Sequence, residues 1–99
     1  MMSRRRNEKL WAEFIAAIDA MNLSGPYFVE ERVTRQRGHF LRAVKDVPAG
    51  ESWWEIRFFF TQTESCWAFL PENRHTSEFA WGNTLHQAYL NGILQQVGS

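Results

Sequence analysis

Apolar residues recur at helical spacing between residues 8 and 21. Leu10, Trp11, Phe14, Ile15, Ile18 and Met21 form one stripe, and Glu8, Lys9, Glu13 and Asp19 fall outside it. The pattern predicts an amphipathic helix over 8–21. Ser3 is placed to cap it, but Arg4, Arg5 and Arg6 oppose the dipole at a helix N-terminus, so residues 1–7 are expected as a frayed basic arm. Asn22 to Pro26 ends the helix with strong breakers. Alternation then takes over. Tyr27, Val29 and Val33 share one parity in 27–35, and Phe28, Glu30, Arg32 and Thr34 share the other. Gln36-Arg37-Gly38 suits a hairpin turn, with Gly38 free to take a positive φ, and 39–45 is the return strand.

A second turn at Asp46 to Glu51, with Pro48 and Gly50, leads to the clearest strand, 52–61. Trp54, Ile56, Phe58 and Phe60 line one face of it; Trp53, Glu55, Arg57 and Phe59 line the other. Residues 64–70 form a fourth strand, and Pro71 to Thr76 is polar loop. Thr84 followed by Gln87 fits a capping box for a last helix over 84–96, with Leu85, Ala88, Tyr89, Gly92 and Ile93 on one face. Residues 77–81 read as a separate turn, because Gly82-Asn83 interrupts the pattern. The order α-β-β-β-β-α with short turns predicts an α+β two-layer sandwich. In it, a four-stranded antiparallel meander is covered on one face by an N-terminal and a C-terminal helix.

The chain has 99 residues, which suits a single domain over 1–99. It is 44% hydrophobic and 22% charged, a globular composition. Eight Phe, five Trp and two Tyr are many rings for a domain this small, so some are expected to line a pocket or meet a partner. Net charge is zero, which argues against a general polyelectrolyte binder. The charges are segregated, however. Residues 1–45 hold nine Arg/Lys against five Asp/Glu, and residues 46–99 hold two against six. Cys66 is the only cysteine, no window is apolar enough to span a membrane, and a cytoplasmic location is expected.

No motif for catalysis or metal binding is present. His39, His75 and His86 make no H-x-x-x-H pair, and Cys66 has no C-x-x-C mate. Cys66 alternates with Trp67 in an apolar strand, which suits a packed small hydrophobe better than a nucleophile. No cofactor is expected, and the chain reads as a non-enzyme. Three binding surfaces stand out instead. The basic hairpin gathers Arg32, Arg35, Arg37, His39, Arg42 and Lys45, a set that suits nucleic acid or an acidic protein, or that pairs with Glu30 and Glu31 across strands. Trp53 and Phe59 make the outer side of the third strand partly apolar, with Glu55 and Arg57 between them. Such a face awaits a cover, either a second copy, a ligand or flanking segments of the chain. In a homodimer, Glu55 and Arg57 would pair across the two-fold axis. Finally, Trp11, Phe14, Trp54, Phe58 and Trp81 could line a ligand pocket between helices and sheet.

The element order resembles that of frataxin-like folds, although the acidic first helix of that family is missing. It also resembles that of double-stranded RNA-binding domains. Those have three strands and a lysine-rich start to the second helix, where Asn73 to Thr84 here holds only Arg74. Neither resemblance lends a residue or a function. The leading expectation is a non-catalytic interaction module that self-associates and contacts a protein partner. Nucleic-acid binding by the hairpin is its main rival, and a small-ligand pocket the third reading.

Overall fold

A computed structural model describes residues 4–23, 25–36, 38–46, 54–61, 63–70 and 79–98, with the backbone alone for 4–7 and 95–98. Helix α1 spans Arg4–Ala20. It starts earlier than its apolar stripe, because arginine is a good helix former and that propensity outweighs an unfavourable first turn. Asn22, at φ 54°, closes it in the left-handed conformation, and the amides of Met21 and Asn22 return to the carbonyls of Ile18 and Asp19.

Five strands follow: β1 (Tyr27–Thr34), β2 (Gly38–Lys45), β3 (Glu55–Phe60), β4 (Ser65–Leu70) and β5 (Ala80–Gly82). They form one antiparallel sheet in chain order. The α+β meander with two helices is as the sequence predicts, except that part of the expected turn at 77–81 is a fifth strand. Three residues, Ala-Trp-Gly, are too few to show alternation, and β5 exists by pairing with the edge of β4. Gly38 takes φ 77° at the first hairpin, as its turn requires.

Helix α2 spans Leu85–Gly98. Thr84 Oγ1 accepts from the Gln87 amide at 3.0 Å, while Gln87 Oε1 accepts from the Asn83 amide at 3.0 Å. The capping box is thus present, with its return bond one residue earlier than the standard pattern. Both helices pack on the same face. Phe14 and Ile18 of α1 join Leu85 and Ala88 of α2 over Leu41, Ala43, Trp54, Ile56 and Phe69. Glycine lets α2 approach the sheet. A Cβ at Gly82 would stand 2.5 Å from the Ala88 nitrogen, and one at Gly92 would stand 3.1 Å from the Phe69 ring. Asn91 Nδ2 donates to the Trp81 carbonyl at 2.7 Å and ties α2 to β5. No helix among the described residues is long and apolar enough to cross a membrane.

Candidate functional site

Strand alternation sends Glu55, Arg57 and Phe59 to the outer face, away from both helices. Direct pairing sets Arg42 opposite Arg57 and Glu30 opposite Arg42. Two guanidinium groups side by side need an anion, and Glu55 supplies it. Arg42 donates to both Glu55 oxygens, Nε to Oε2 at 2.8 Å and Nη2 to Oε1 at 3.2 Å, and Arg57 Nε donates to Oε2 at 2.6 Å. Glu55 is only 5% exposed, so its charge is stable there because it is paired three ways. Arg42 Nη1 reaches on to Glu30 at 2.9 Å, and Arg32 Nη1 lies 3.4 Å from the same oxygen. Burial works against the Arg42 charge, but the bonds and charges of Glu55 and then Glu30 outweigh it and hold its pKa above the ordinary value.

Rings frame this network. The Arg57 guanidinium lies over Phe79 at 4.6 Å and over Phe40 at 5.3 Å. Phe40 meets Phe59 at 4.8 Å, and Phe59 meets Trp81 at 5.5 Å. Trp81 stays 53% exposed, and Phe28, on the same face of β1, is 47% exposed. Sequence reasoning found Phe59, Glu55 and Arg57 but missed Phe40 and Phe79 as the cradle of Arg57. Aromatic-cationic alternation across neighbouring strands was the available signal. The Glu55–Arg57 pair closes within one chain, so a dimer on this face would not rely on it to cross a two-fold axis. Trp53 lies outside the described residues.

The hairpin cations are largely matched by carboxylates. Arg42 and Arg32 share Glu30, and His39 Nε2 lies 2.9 Å from Glu31 Oε2, although without the alignment of a hydrogen bond. Arg35 is exposed at the turn, Lys45 sits opposite Tyr27, and Arg37 lies outside the described residues. The hairpin thus carries its own counter-charges, as cross-strand pairing with Glu30 and Glu31 allows.

Four of the five residues expected to line a pocket, Trp11, Phe14, Trp54 and Phe58, pack in or against the core instead. Phe14 is 1% exposed and stacks on Trp67 at 5.6 Å, with Phe58 at 6.4 Å. Trp54 is buried against Tyr27, and Trp11 Nε1 donates to Glu31 at 3.2 Å. Trp81 stands on the opposite face of the sheet from these four, because Ala80, not Trp81, faces α2. An open groove of about 590 Å³ lies elsewhere, lined by Gly38, His39, Phe60, Thr61, Cys66 and Asn83 among others. Burial and the charge of Glu64 push the Cys66 thiol pKa up, away from the thiolate a nucleophile needs. Among the described residues no group of His, Cys, Asp or Glu could hold a metal ion. Comparison with protein-family models, with curated proteins and with solved structures finds no match.

Proposed function

We propose that this chain is a non-catalytic interaction module that self-associates and contacts a protein partner. Its single cysteine suits a reducing, cytoplasmic setting. Trp81 carries the reading. It is half exposed, tilted against Phe59 at 5.5 Å, on the sheet face that neither helix covers, and beside a network whose charges are already satisfied. An exposed tryptophan held rigid by a second ring is the kind of anchor that dominates protein interfaces. The nucleic-acid reading has weaker support, because Glu30, Glu31 and Glu55 stand beside the cations it would need. A small-ligand reading has less, because four of the five rings it would use pack in or against the core and Trp81 stands on the opposite face.

Two measurements test the proposal. Light scattering should show a mass above that of the monomer at about 100 µM, where even a contact of order −6 kcal/mol would be well populated. A strict monomer at that concentration ends the self-association part. Panning of a random peptide library should select ligands with apolar anchors whose affinity falls about tenfold or more for the Phe59→Ser, Trp81→Ser variant. Ligands indifferent to that variant would remove the aromatic face from the proposal.

A further inference from the structure

Strand β1 is an edge of the sheet and has eight residues, Tyr27–Thr34. Its pairing with β2 fixes which of its backbone groups are used. The Asp46 amide donates to the Pro26 carbonyl at 2.8 Å, so 26 and 46 are a hydrogen-bonded pair. Antiparallel ladders alternate, so the even residues of β1 point their N–H and C=O groups at β2. The odd residues, Tyr27, Val29, Glu31 and Val33, point theirs outward.

Natural edges are usually blunted by proline, a bulge or shortness. None of the four outward positions is proline, and the register with β2 runs unbroken from Tyr27↔Lys45 to Thr34↔Gly38. Glu31 and Arg32 are exposed, and Val33 is 75% exposed. Among the described residues, the charges of Glu30, Glu31 and Arg32 are what protects this edge. Whether they repel a strand depends on what stands opposite them.

We infer that the β1 edge is the self-association surface and that its occupant is β1 of a second copy, running antiparallel about a two-fold axis through Glu31. This rests on the self-associating reading above and names its surface. An axis perpendicular to the sheet keeps both pairs of helices on one side. It allows only registers that place odd residues opposite odd ones, which are also the residues whose backbone groups β2 does not use. Centred on Glu30, the pairing sets Glu30 against its own copy and Val29 against Glu31 of the second copy. Centred on Arg32, it sets Arg32 against its copy and Val33 against Glu31. Centred on Glu31, it sets Glu30 opposite Arg32 twice on the outer face and Val29 opposite Val33 twice on the inner face. Phe28 then faces Thr34. Opposite charges and apolar pairs across strands stabilise a sheet, and like charges destabilise it. The third register has one like-charged pair, Glu31 with its copy, against two favourable ionic pairs and two Val–Val pairs. Arg32 is available for this, since its contact with its own Glu30 is long and half exposed. The product is a continuous ten-stranded sheet formed from two five-stranded ones. β5, with Trp81, lies at the far edge of each copy, so the aromatic face is left for the protein partner.

The experiment is sedimentation equilibrium of the full chain and four variants, with circular dichroism as the check on folding. Val33→Pro removes an outward donor and leaves the β1–β2 ladder intact, and it should raise the dimer dissociation constant about tenfold or more. Arg32→Glu places acid opposite Glu30 and should also weaken the dimer, which keeps the test decisive if the proline variant fails to fold. Glu31→Gln removes the like-charged pair yet can still accept from Trp11, so it should tighten the dimer several-fold, by roughly 1 kcal/mol or less. The Phe59→Ser, Trp81→Ser variant should dimerise like the unaltered chain. If that variant is monomeric while Val33→Pro and Arg32→Glu dimerise normally, the inference is overturned and the self-associating reading stands on the aromatic face. Weaker association of Glu31→Gln would overturn the register. A chain that is monomeric throughout overturns both the inference and the self-association it rests on.

Discussion

Glu55 is the residue on which the outer face turns. Its carboxylate holds apart two arginines that the strand register sets directly opposite each other. Glu55→Ala would leave both guanidinium groups part-buried with no anion between them. Removing one partner of a buried pair typically costs about 3–5 kcal/mol, so urea denaturation should show a loss near that range. An unchanged midpoint would mean that water already screens the cluster. Tyr27 gives a second test. Burial first, and then the hydrogen bond to Asp19 at 2.6 Å and that residue's charge, push its pKa from 10.0 up to about 12. The folded state therefore favours the neutral phenol. This contribution to stability is full below about pH 10 and is lost as pH rises through about 12. Ultraviolet titration should show Tyr27 ionising late, and Asp19→Asn should bring it earlier. Cys66, raised by burial and Glu64, should react with a disulfide reagent more slowly at pH 8 than free cysteine does; a faster reaction would reopen a nucleophilic role.

At the scale of elements, burial separates structure from contact surface. Phe14 on α1 is 1% exposed and packs against Phe58 and Trp67. Phe14→Ala should cost about 3–5 kcal/mol. Trp81→Ser, at an exposed position, should cost far less, within roughly 1 kcal/mol. Equal losses would mean that Trp81 holds the fold and does not await a partner. Gly82→Ala should also destabilise, because the added carbon would press on the backbone of α2. The four longer strands and both helices were legible from alternation and helical spacing, because one-sided burial imposes those periods on the sequence. The third strand announced its two faces through Trp54, Ile56 and Phe58 against Glu55, Arg57 and Phe59. β5 was not legible, and Trp81 was assigned to the inner face for the same reason. Three residues carry no period, and the facing of Trp81 depends on its pairing with Ala68 of β4. The Glu55 network was half legible. Sequence reasoning could propose that Arg42 meets Glu30, but Arg42 reaching Glu55 required the β2–β3 register, which alternation within each strand does not fix.

At the scale of the whole molecule, the sheet reverses the charge segregation of the chain. The first 45 residues carry a net of +4 and the remainder −4. The β2–β3 pairing brings Arg42 from the basic half onto Glu55 from the acidic half. Within the basic half, β1 lays Glu30 and Glu31 beside Arg42, Arg32 and His39. A phosphate backbone approaching this hairpin would have to displace carboxylates already at hydrogen-bonding distance. Its attraction would come mainly from the exposed turn around Arg35. That is worth about one or two phosphate contacts, for which the logarithm of affinity falls with the logarithm of salt with a slope of order −1 to −2. Titration of a fluorescent single-stranded DNA and a duplex RNA at about 50 mM salt should therefore show weak binding that falls only about 4- to 16-fold when salt is raised to about 200 mM. Binding in the micromolar range that collapses by about a thousandfold over the same interval would require many unpaired cations. That outcome would move the proposed function from the aromatic face and the β1 edge to the hairpin, and Arg35→Ala should then weaken every sequence alike.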